Sequence, residues 1–91
     1  MFKELNPRIY CNDGFNISVQ GSSTAYALPR EDDGPYTHVE CGFPSENPGY
    51  ELMEFAENSG DPTGTVYGYV PVDVVMRVLF LHGGIAKGKM P

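Results

Sequence analysis

Residues 65–85, TVYGYVPVDVVMRVLFLHGGI, decide the fold, because they predict a short strand that leads directly into a long helix. Pro71 suits a first helical position, since its φ is already close to helical and its missing N–H would be unpaired there anyway. Gly83 and Gly84 predict the C-terminal end of this helix, because glycine adopts the left-handed conformation without a steric penalty. The predicted helix therefore covers residues 71–82.

Apolar side chains cover most of the circumference of this helix, so we expect it to be buried on several sides. They are Val72, Val74, Val75, Met76, Val78, Leu79, Phe80 and Leu81. Asp73 stands four residues before Arg77, which favours a surface ion pair. One sheet face covers only one side of the helix. The other sides require either the protein's own loops and shorter helix or a second copy of the chain, with Met76 and Phe80 as candidate self-association residues.

The rest of the chain predicts a mostly antiparallel sheet of about four strands, from alternation of apolar and polar side chains. The predicted strands are residues 15–20, 24–28, 36–43 and 65–70, and a short helix is predicted near residues 50–57. The order is ββ, β, short α, β, long α. We therefore predict one α+β domain over residues 1–91, with the C-terminal helix packed on one face of the sheet. Residues 1–10 have no clear period, and the polar residues 86–91 predict a flexible tail.

Alternation also predicts which side chains face the core. In the first strand these are Phe15, Ile17 and Val19, and in the third they are Val39, Cys41 and Phe43. In the fourth strand, Val66, Gly68 and Val70 share one face, and Tyr67 and Tyr69 share the other.

Length and composition restrict the class of protein. Ninety-one residues are enough for one core without metal or disulfide support. The longest apolar run is about 12 residues and contains two charges, whereas a membrane span needs about 20. No secretory signal pattern opens the chain, so a cytoplasmic location is expected. Two cysteines are too few for a disulfide framework. We expect Cys11 and Cys41 to be reduced thiols, with Cys41 in the core; a cross-strand disulfide is the alternative.

Catalytic and metal-binding patterns are incomplete. His38 and Glu40 match the H-x-E half of a zinc deaminase signature, but the P-C-x-x-C half is absent. A metal site from Cys11, His38, Cys41 and His82 would need His38 and Cys41 to reach one ion from opposite faces of a strand. Nucleophile elbows, Walker loops and dinucleotide-binding glycine patterns are also missing. No metal, no cofactor and no enzymatic activity are therefore expected.

The charges are distributed unevenly along the chain. Residues 31–76 contain ten carboxylates and no lysine or arginine, and the net charge of the whole chain is −6. The carboxylates are Glu31, Asp32, Asp33, Glu40, Glu46, Glu51, Glu54, Glu57, Asp61 and Asp73. The negative electrostatic field of these carboxylates excludes direct binding of residues 31–76 to nucleic-acid phosphates and favours a basic partner surface. The alternative is an acidic surface that only keeps the protein in solution.

Tyrosines are interleaved with these acids, and tyrosine is favoured at interfaces because it joins a large apolar area to a polar tip. Tyr36 shares the predicted exposed face of its strand with His38 and Glu40, and Tyr50 precedes a row of glutamates. The alternative for each tyrosine is packing under a helix or loop. The predicted partner-binding residues are Glu31, Asp32, Asp33, Tyr36, Glu40, Tyr50, Glu51, Glu54 and Glu57.

The segments TVYGYVPVDVV, HGGI and YTHVECGFPS resemble small accessory proteins of phages and prophages. VYGYVPVDVV in particular is similar to the start of a helix in some small anti-CRISPR proteins. The similarity covers about a quarter of the chain and concerns a connection between strand and helix, so it transfers no functional residue. It implies an origin on a mobile element and an acidic protein that blocks a nucleic-acid site on its target.

Three functions are therefore compared. The first is a non-enzymatic inhibitor that docks its acidic, tyrosine-bearing face on a basic nucleic-acid-binding surface of a host protein, with a CRISPR effector as the target that the resemblance implies. The second is a homodimeric structural or assembly protein of a phage or mobile element. The third is a small enzyme that uses His38 and Glu40. The first requires the carboxylates to form one face that lysine and arginine do not neutralise.

Overall fold

The computed structural model describes residues 4–91, in which five antiparallel strands carry two helices on one face. The elements are β1 (Ile9–Cys11), β2 (Asn16–Gln20), β3 (His38–Gly42), α1 (Tyr50–Met53), β4 (Val66–Pro71), α2 (Val72–Leu81) and β5 (Ile85–Lys87). The strands lie side by side in the order β4-β3-β2-β1-β5. The predicted α+β class is confirmed, with five strands in place of about four.

The core lies between the sheet and the two helices. The predicted alternation of β2 is confirmed, since Phe15, Ile17 and Val19 are all buried. α2 adds four buried side chains at helical spacing, and α1 adds one. These are Val74, Val75, Val78, Leu79 and Leu52. Burying five such side chains would contribute on the order of 7 to 15 kcal/mol before the entropy cost of folding.

The junction between β4 and α2 differs by one residue from the prediction. Pro71 is still extended, with ψ 136°, and the helix begins at Val72. The reason is a tertiary contact, because the Val72 N–H donates to the carbonyl oxygen of Thr37 at 3.1 Å and fixes the junction to the start of β3. At the other end Gly83 and Gly84 have positive φ values, as the sequence predicts.

The predicted strand at residues 24–28 is wrong. This segment crosses the sheet face opposite the helices, and its one contact of the strand type is an isolated bridge from Leu28 to His38. The Tyr26 N–H donates to Glu40 Oε1 at 2.9 Å, and the Tyr26 carbonyl accepts from the Tyr69 N–H at 2.9 Å. These bonds to a side chain and to an irregular part of β4 replace the strand pairing expected from local pattern.

Two short strands, β1 and β5, lie in segments for which no strand was predicted. Of residues 1–10, the first three lie outside the described part of the chain, and the last two belong to β1. The predicted flexible tail is wrong at residues 86–87, which pair with β1, and Met90 packs against the core. Strands of three residues are too short to show alternation, and the residues that pair β1 with β5 are more than 70 positions apart in sequence.

A β-bulge breaks the predicted alternation of β4. Cys41 pairs with Tyr67 and Val39 pairs with Val70, so two steps along β3 face three steps along β4. The extra residue reverses the parity beyond it. Tyr67 and Val70 are therefore both buried, and Tyr69 is partly exposed with φ 51°. The predicted faces of β4 are thus wrong on both sides.

Two further elements are shorter than predicted. β3 ends at Gly42, so Phe43, which was predicted to face the core, turns outward with φ 51° and is 49% exposed. α1 ends after Met53. The chain then runs along the outer edge of β4, where the Glu57 N–H donates to the Val66 carbonyl at 3.0 Å. None of the helices within residues 4–91 is long and apolar enough to cross a membrane.

Candidate functional site

The outward side of α2 is apolar and uncovered. Met76 is 46% exposed, Phe80 79% and Leu81 77%, and at the start of α1 Tyr50 is 82% exposed. Met76 and Phe80 are four residues apart, so their side chains are neighbours on the helix surface. We call Tyr50, Met76, Phe80 and Leu81 the helical face. Tyr50 and Leu81 line one groove, whereas Met76 and Phe80 lie on the other side of Arg77 around α2, so the helical face consists of two exposed apolar pairs. Exposed large apolar side chains that neighbour one another are typical of an interaction surface.

An exposed ion-pair network joins α1 to α2. It contributes little stability by itself, and α1 is anchored on the core through its buried Leu52. Arg77 Nη2 lies 2.8 Å from Glu51 Oε2, and Arg77 Nη1 lies 3.3 Å from Asp73 Oδ2, which confirms the predicted pair with Asp73. Hydrogen bonds to Glu51, and then to Asp73, raise the pKa of the Arg77 guanidinium. Glu51 therefore links α1 to α2, and Arg77 is shared between its charge and that of Asp73.

A groove separates the two helices beside this network. It is lined by Pro48, Gly49, Tyr50, Glu51, Val78 and Leu81 and has a volume of about 200 Å³. Val78 is 6% exposed and forms part of the apolar lining, and the far more exposed Tyr50 and Leu81 rise from it. The groove is thus an apolar slot with one carboxylate at its rim.

The surroundings of the helical face are strongly acidic. Residues 46–82 contain six carboxylates and one cation, Arg77. Glu54 and Glu57 are exposed, and neither forms a salt bridge in the part of the chain that the structure describes. Arg77 offsets one of the two negative charges of Glu51 and Asp73, so residues 46–82 keep a net negative charge.

Most of the described cations lie away from this face. Arg8 reaches across the opposite face of the sheet, where its Nε donates to Asn16 Oδ1 at 3.0 Å and its Nη2 donates to the Phe43 carbonyl at 2.6 Å. Lys87 ends β5, the strand at the far edge of the sheet from β4, and Lys89 follows it. The molecule therefore has a basic edge and an acidic helical side.

The predicted partner-binding residues do not form one face. Glu40 Oε1 accepts the Tyr26 N–H on the sheet face opposite the helices, whereas Glu54 follows α1 on the helical side. Glu31 and Asp33 are exposed in the loop between β2 and β3, where Asp32 accepts hydrogen bonds from the backbone and hydroxyl of Ser23. These carboxylates therefore do not form the single face that the first function requires. The structure joins Tyr50 and Glu51 with Leu81 around one groove, and Met76 and Phe80 are not part of its lining.

Tyr36 is not an exposed anchor, contrary to the prediction. Its side chain is buried, its ring packs against Gly21, and its hydroxyl donates to the Glu31 carbonyl at 2.8 Å. β3 begins only at His38, so the parity of the strand does not extend back to Tyr36. The alternative that was considered for each tyrosine, packing under a loop, holds here.

The residues of the enzymatic alternative are engaged in other contacts. His38 Nδ1 lies 2.9 Å from Thr37 Oγ1. Both cysteines are free and buried. Burial, and then the nearby Glu40 charge, raise the pKa of the Cys41 thiol to about 12. A protonated core thiol is a poor nucleophile. Within residues 4–91, no group of three candidate ligands is placed to hold a metal ion.

An Asp–His pair that the sequence did not suggest joins the end of α2 to the turn between β1 and β2. His82 Nδ1 lies 2.7 Å from Asp13 Oδ2, and its ring stacks on Phe15 with centroids 4.0 Å apart. Hydrogen bonds from the Phe15 N–H, and then from His82, lower the pKa of Asp13. The neighbouring thiol of Cys11 has a raised pKa because of burial. The pair therefore fixes the orientation of the imidazole against Phe15, and the Cys11 thiol faces the Leu79 carbonyl at 3.8 Å.

No protein-family model matches the chain, and no curated protein or solved structure matches it either. The helical face and the charges around it are therefore the basis for assigning a function.

Proposed function

We propose that this is a non-enzymatic binding protein that docks its helical face on a basic surface of another protein. One observation carries the proposal: four large apolar or aromatic side chains are exposed on α2 and at the start of α1, in a stretch of sequence, residues 46–82, with six carboxylates and one cation. An interface needs a central apolar cluster and a rim that excludes water. Here Phe80 and Leu81 supply the apolar cluster, and Glu54 belongs to the rim.

Charge and apolar area contribute differently to such a complex. Carboxylates at a rim mainly speed up encounter with a basic partner and reject acidic ones, and the effect is screened by salt. Burial of exposed apolar side chains supplies most of the affinity, at roughly 1.5 to 3 kcal/mol for each one fully buried. Binding should therefore weaken as salt rises and depend strongly on Phe80 and Leu81.

The specific form of the proposal combines this surface with the resemblance to phage and prophage proteins. In that form the protein inhibits a host protein, with a CRISPR effector as the target, by occupying the basic surface that would otherwise bind nucleic acid. The protein itself does not bind nucleic acid, because its acidic helical side repels phosphates.

The general proposal is tested by charge reversal at matched positions. Glu54→Lys changes the charge beside the helical face, and Glu4→Lys makes the same change in net charge in the segment before β1. Binding to purified basic DNA-binding proteins should fall at least about tenfold for Glu54→Lys, change little for Glu4→Lys, and weaken between about 50 and 200 mM salt. Equal effects of the two variants would show that only net charge matters.

The specific form has its own test. The protein is added to purified CRISPR effectors, and binding and cleavage of their target DNA are measured. Inhibition that DNA competes away, and that Glu54→Lys weakens, supports the inhibitor. A lack of inhibition, together with salt-sensitive binding to other basic proteins, would exclude a CRISPR effector as the target and would still support the general binding function.

The second candidate is a homodimer, and the exposure of Met76 and Phe80 favours it. A two-fold dimer through this face would, however, place the same acidic rims against each other, which is unfavourable. Sedimentation of the wild type and of Phe80→Asp separates the two candidates. The dimer requires a mass near twice that of the chain that falls on substitution, whereas the binding protein is a monomer in both cases.

A further inference from the structure

We infer that the partner element on the helical face is a basic amphipathic helix, and that one of its apolar side chains fills the groove between Tyr50 and Leu81. This inference rests on the proposed function and specifies the structure and chemistry of the partner. Three features carry it: the secondary structure of the face, the shape of the groove, and the sign of the charges around it.

The secondary structure of the face favours a helix as the partner. The backbone groups within α2 are paired inside the helix, so the face offers no row of free N–H and C=O groups to which a strand could add. The nearby edge of β4 is occupied, because Gly68 donates to the Phe55 carbonyl at 3.3 Å and Glu57 donates to the Val66 carbonyl at 3.0 Å. A partner segment must therefore satisfy its own backbone, as a helix does.

The exposed stripe has the dimensions of a helix contact. From Asp73 to Leu81 it runs for about two turns, or about 12 Å along the axis at 1.5 Å per residue. Met76 and Phe80 form a ridge at a spacing of four residues, which is the ridge used most often when two helices pack. Leu81 lies about 100° further around α2 than Phe80, on the side of α1, so a partner helix must contact both Phe80 and Leu81 to cover the groove.

The groove fits a single apolar side chain. Its volume of about 200 Å³ is too small for a separate ligand, since ligand pockets usually begin near 300 Å³. Val78 is nearly fully buried in its lining, and the projecting side chains of Tyr50 and Leu81 would enclose an inserted leucine, methionine or phenylalanine. A small slot that a partner side chain fills and closes to water is where the strongest contacts of an interface are made.

The charge around the groove determines the flanks of the partner helix. Glu51 lines the groove and Glu54 follows one residue after α1 ends, while Arg77 is occupied by Glu51 and Asp73. Lysine or arginine beside the apolar anchor would meet Glu54 and the part of the Glu51 and Asp73 charge that the single cation Arg77 leaves unbalanced. A second copy of the chain would instead bring its own Glu51 and Glu54 to the same place, so it is a poor occupant.

Three synthetic peptides of about 18 residues, or five turns, test the inference. The first has leucines at helical spacing with lysine and arginine on the flanks. The second has the same composition in scrambled order, and the third has glutamate in place of the cations. Affinity for the full chain is measured by fluorescence anisotropy for the wild type, Leu81→Ser, and the control Ala86→Ser, which lies exposed in β5.

We expect the basic amphipathic peptide to bind at least about tenfold more tightly than the scrambled one, a difference of about 1.4 kcal/mol. Leu81→Ser should remove that difference, and Ala86→Ser should keep it. Leu81 is 77% exposed, so its loss should leave the circular dichroism spectrum and the thermal midpoint unchanged, which separates lost binding from lost folding.

Four results would overturn the inference. Equal, salt-sensitive binding of both basic peptides would show that the groove does not bind a side chain of the partner, and would leave the proposed function intact. Absence of binding by either basic peptide would contradict the proposed function as well. Comparable binding of the acidic peptide would show that charge does not select the partner. A dimer that Leu81→Ser dissociates would show that a second copy occupies the face.

Discussion

Replacing Gly21 with alanine is expected to destabilise the fold by about 1 to 3 kcal/mol, the usual cost of adding an atom to a packed site. The new Cβ would lie 2.6 Å from Cε2 of the Tyr36 ring. Ordinary carbon contacts are at least about 3.5 Å, so the ring or the end of β2 must move by about 1 Å. The ring is buried and its hydroxyl is bonded to Glu31, so it has no free direction in which to move.

The thermal midpoint gives the readout for Gly21→Ala. For a domain of this size 1 kcal/mol corresponds to roughly 4 to 8 °C, so a fall of at least about 4 °C is expected. Gly42→Ala is the matched control, because its Cβ would lie 3.5 Å from Val66 Cγ1, which is an ordinary contact. That variant should be neutral or more stable by up to about 1 kcal/mol, since alanine restricts the unfolded chain.

This comparison also tests the correction made to the candidate site. If Gly21→Ala is as stable as the wild type, the Tyr36 ring is not packed against Gly21. Tyr36 would then be available to a partner, as its sequence position suggests, and the burial argument that removes it from the site would be refuted.

Three further predictions concern the chemistry and the termini of the domain. Asp13→Asn should lower stability near pH 5.5, and the difference from the wild type should vanish as pH falls. The lowered pKa of Asp13 stabilises the fold above the unfolded-state pKa of about 3.8, and this stabilisation is lost as pH falls through the folded-state pKa. Urea midpoints from pH 2 to 5.5 measure the difference, and a constant difference would exclude the carboxylate charge as its cause. Cys41, with a pKa of about 12, should not react with a thiol reagent at pH 8 until the protein unfolds, and labelling at the rate of a free thiol would contradict its burial. A chain that ends at Gly84 should unfold at clearly lower temperature because it lacks β5, whereas an unchanged midpoint would restore the interpretation of a flexible tail.

The helical face illustrates how much of a site local sequence can indicate. The run of apolar residues in α2 predicts more apolar surface than one sheet can cover, and Phe80 and Leu81 are indeed exposed. The proximity of Leu81 to Tyr50 could not be predicted, because it depends on tertiary contacts between α1 and α2, such as the Glu51–Arg77 ion pair across 26 residues of sequence. The groove between the helices has no local signature for the same reason.

The sequence by itself determined the α+β class, the helix of α2, the alternation of β2 and the excess of negative charge. These follow from periodicity and composition, which are properties of neighbouring residues. Only the tertiary structure decided that Tyr69 turns outward, that Tyr36 is buried, and that β5 pairs with β1. A bulge, a close contact with a glycine and a pairing between distant segments produce these features, and each depends on which parts of the chain meet when it folds.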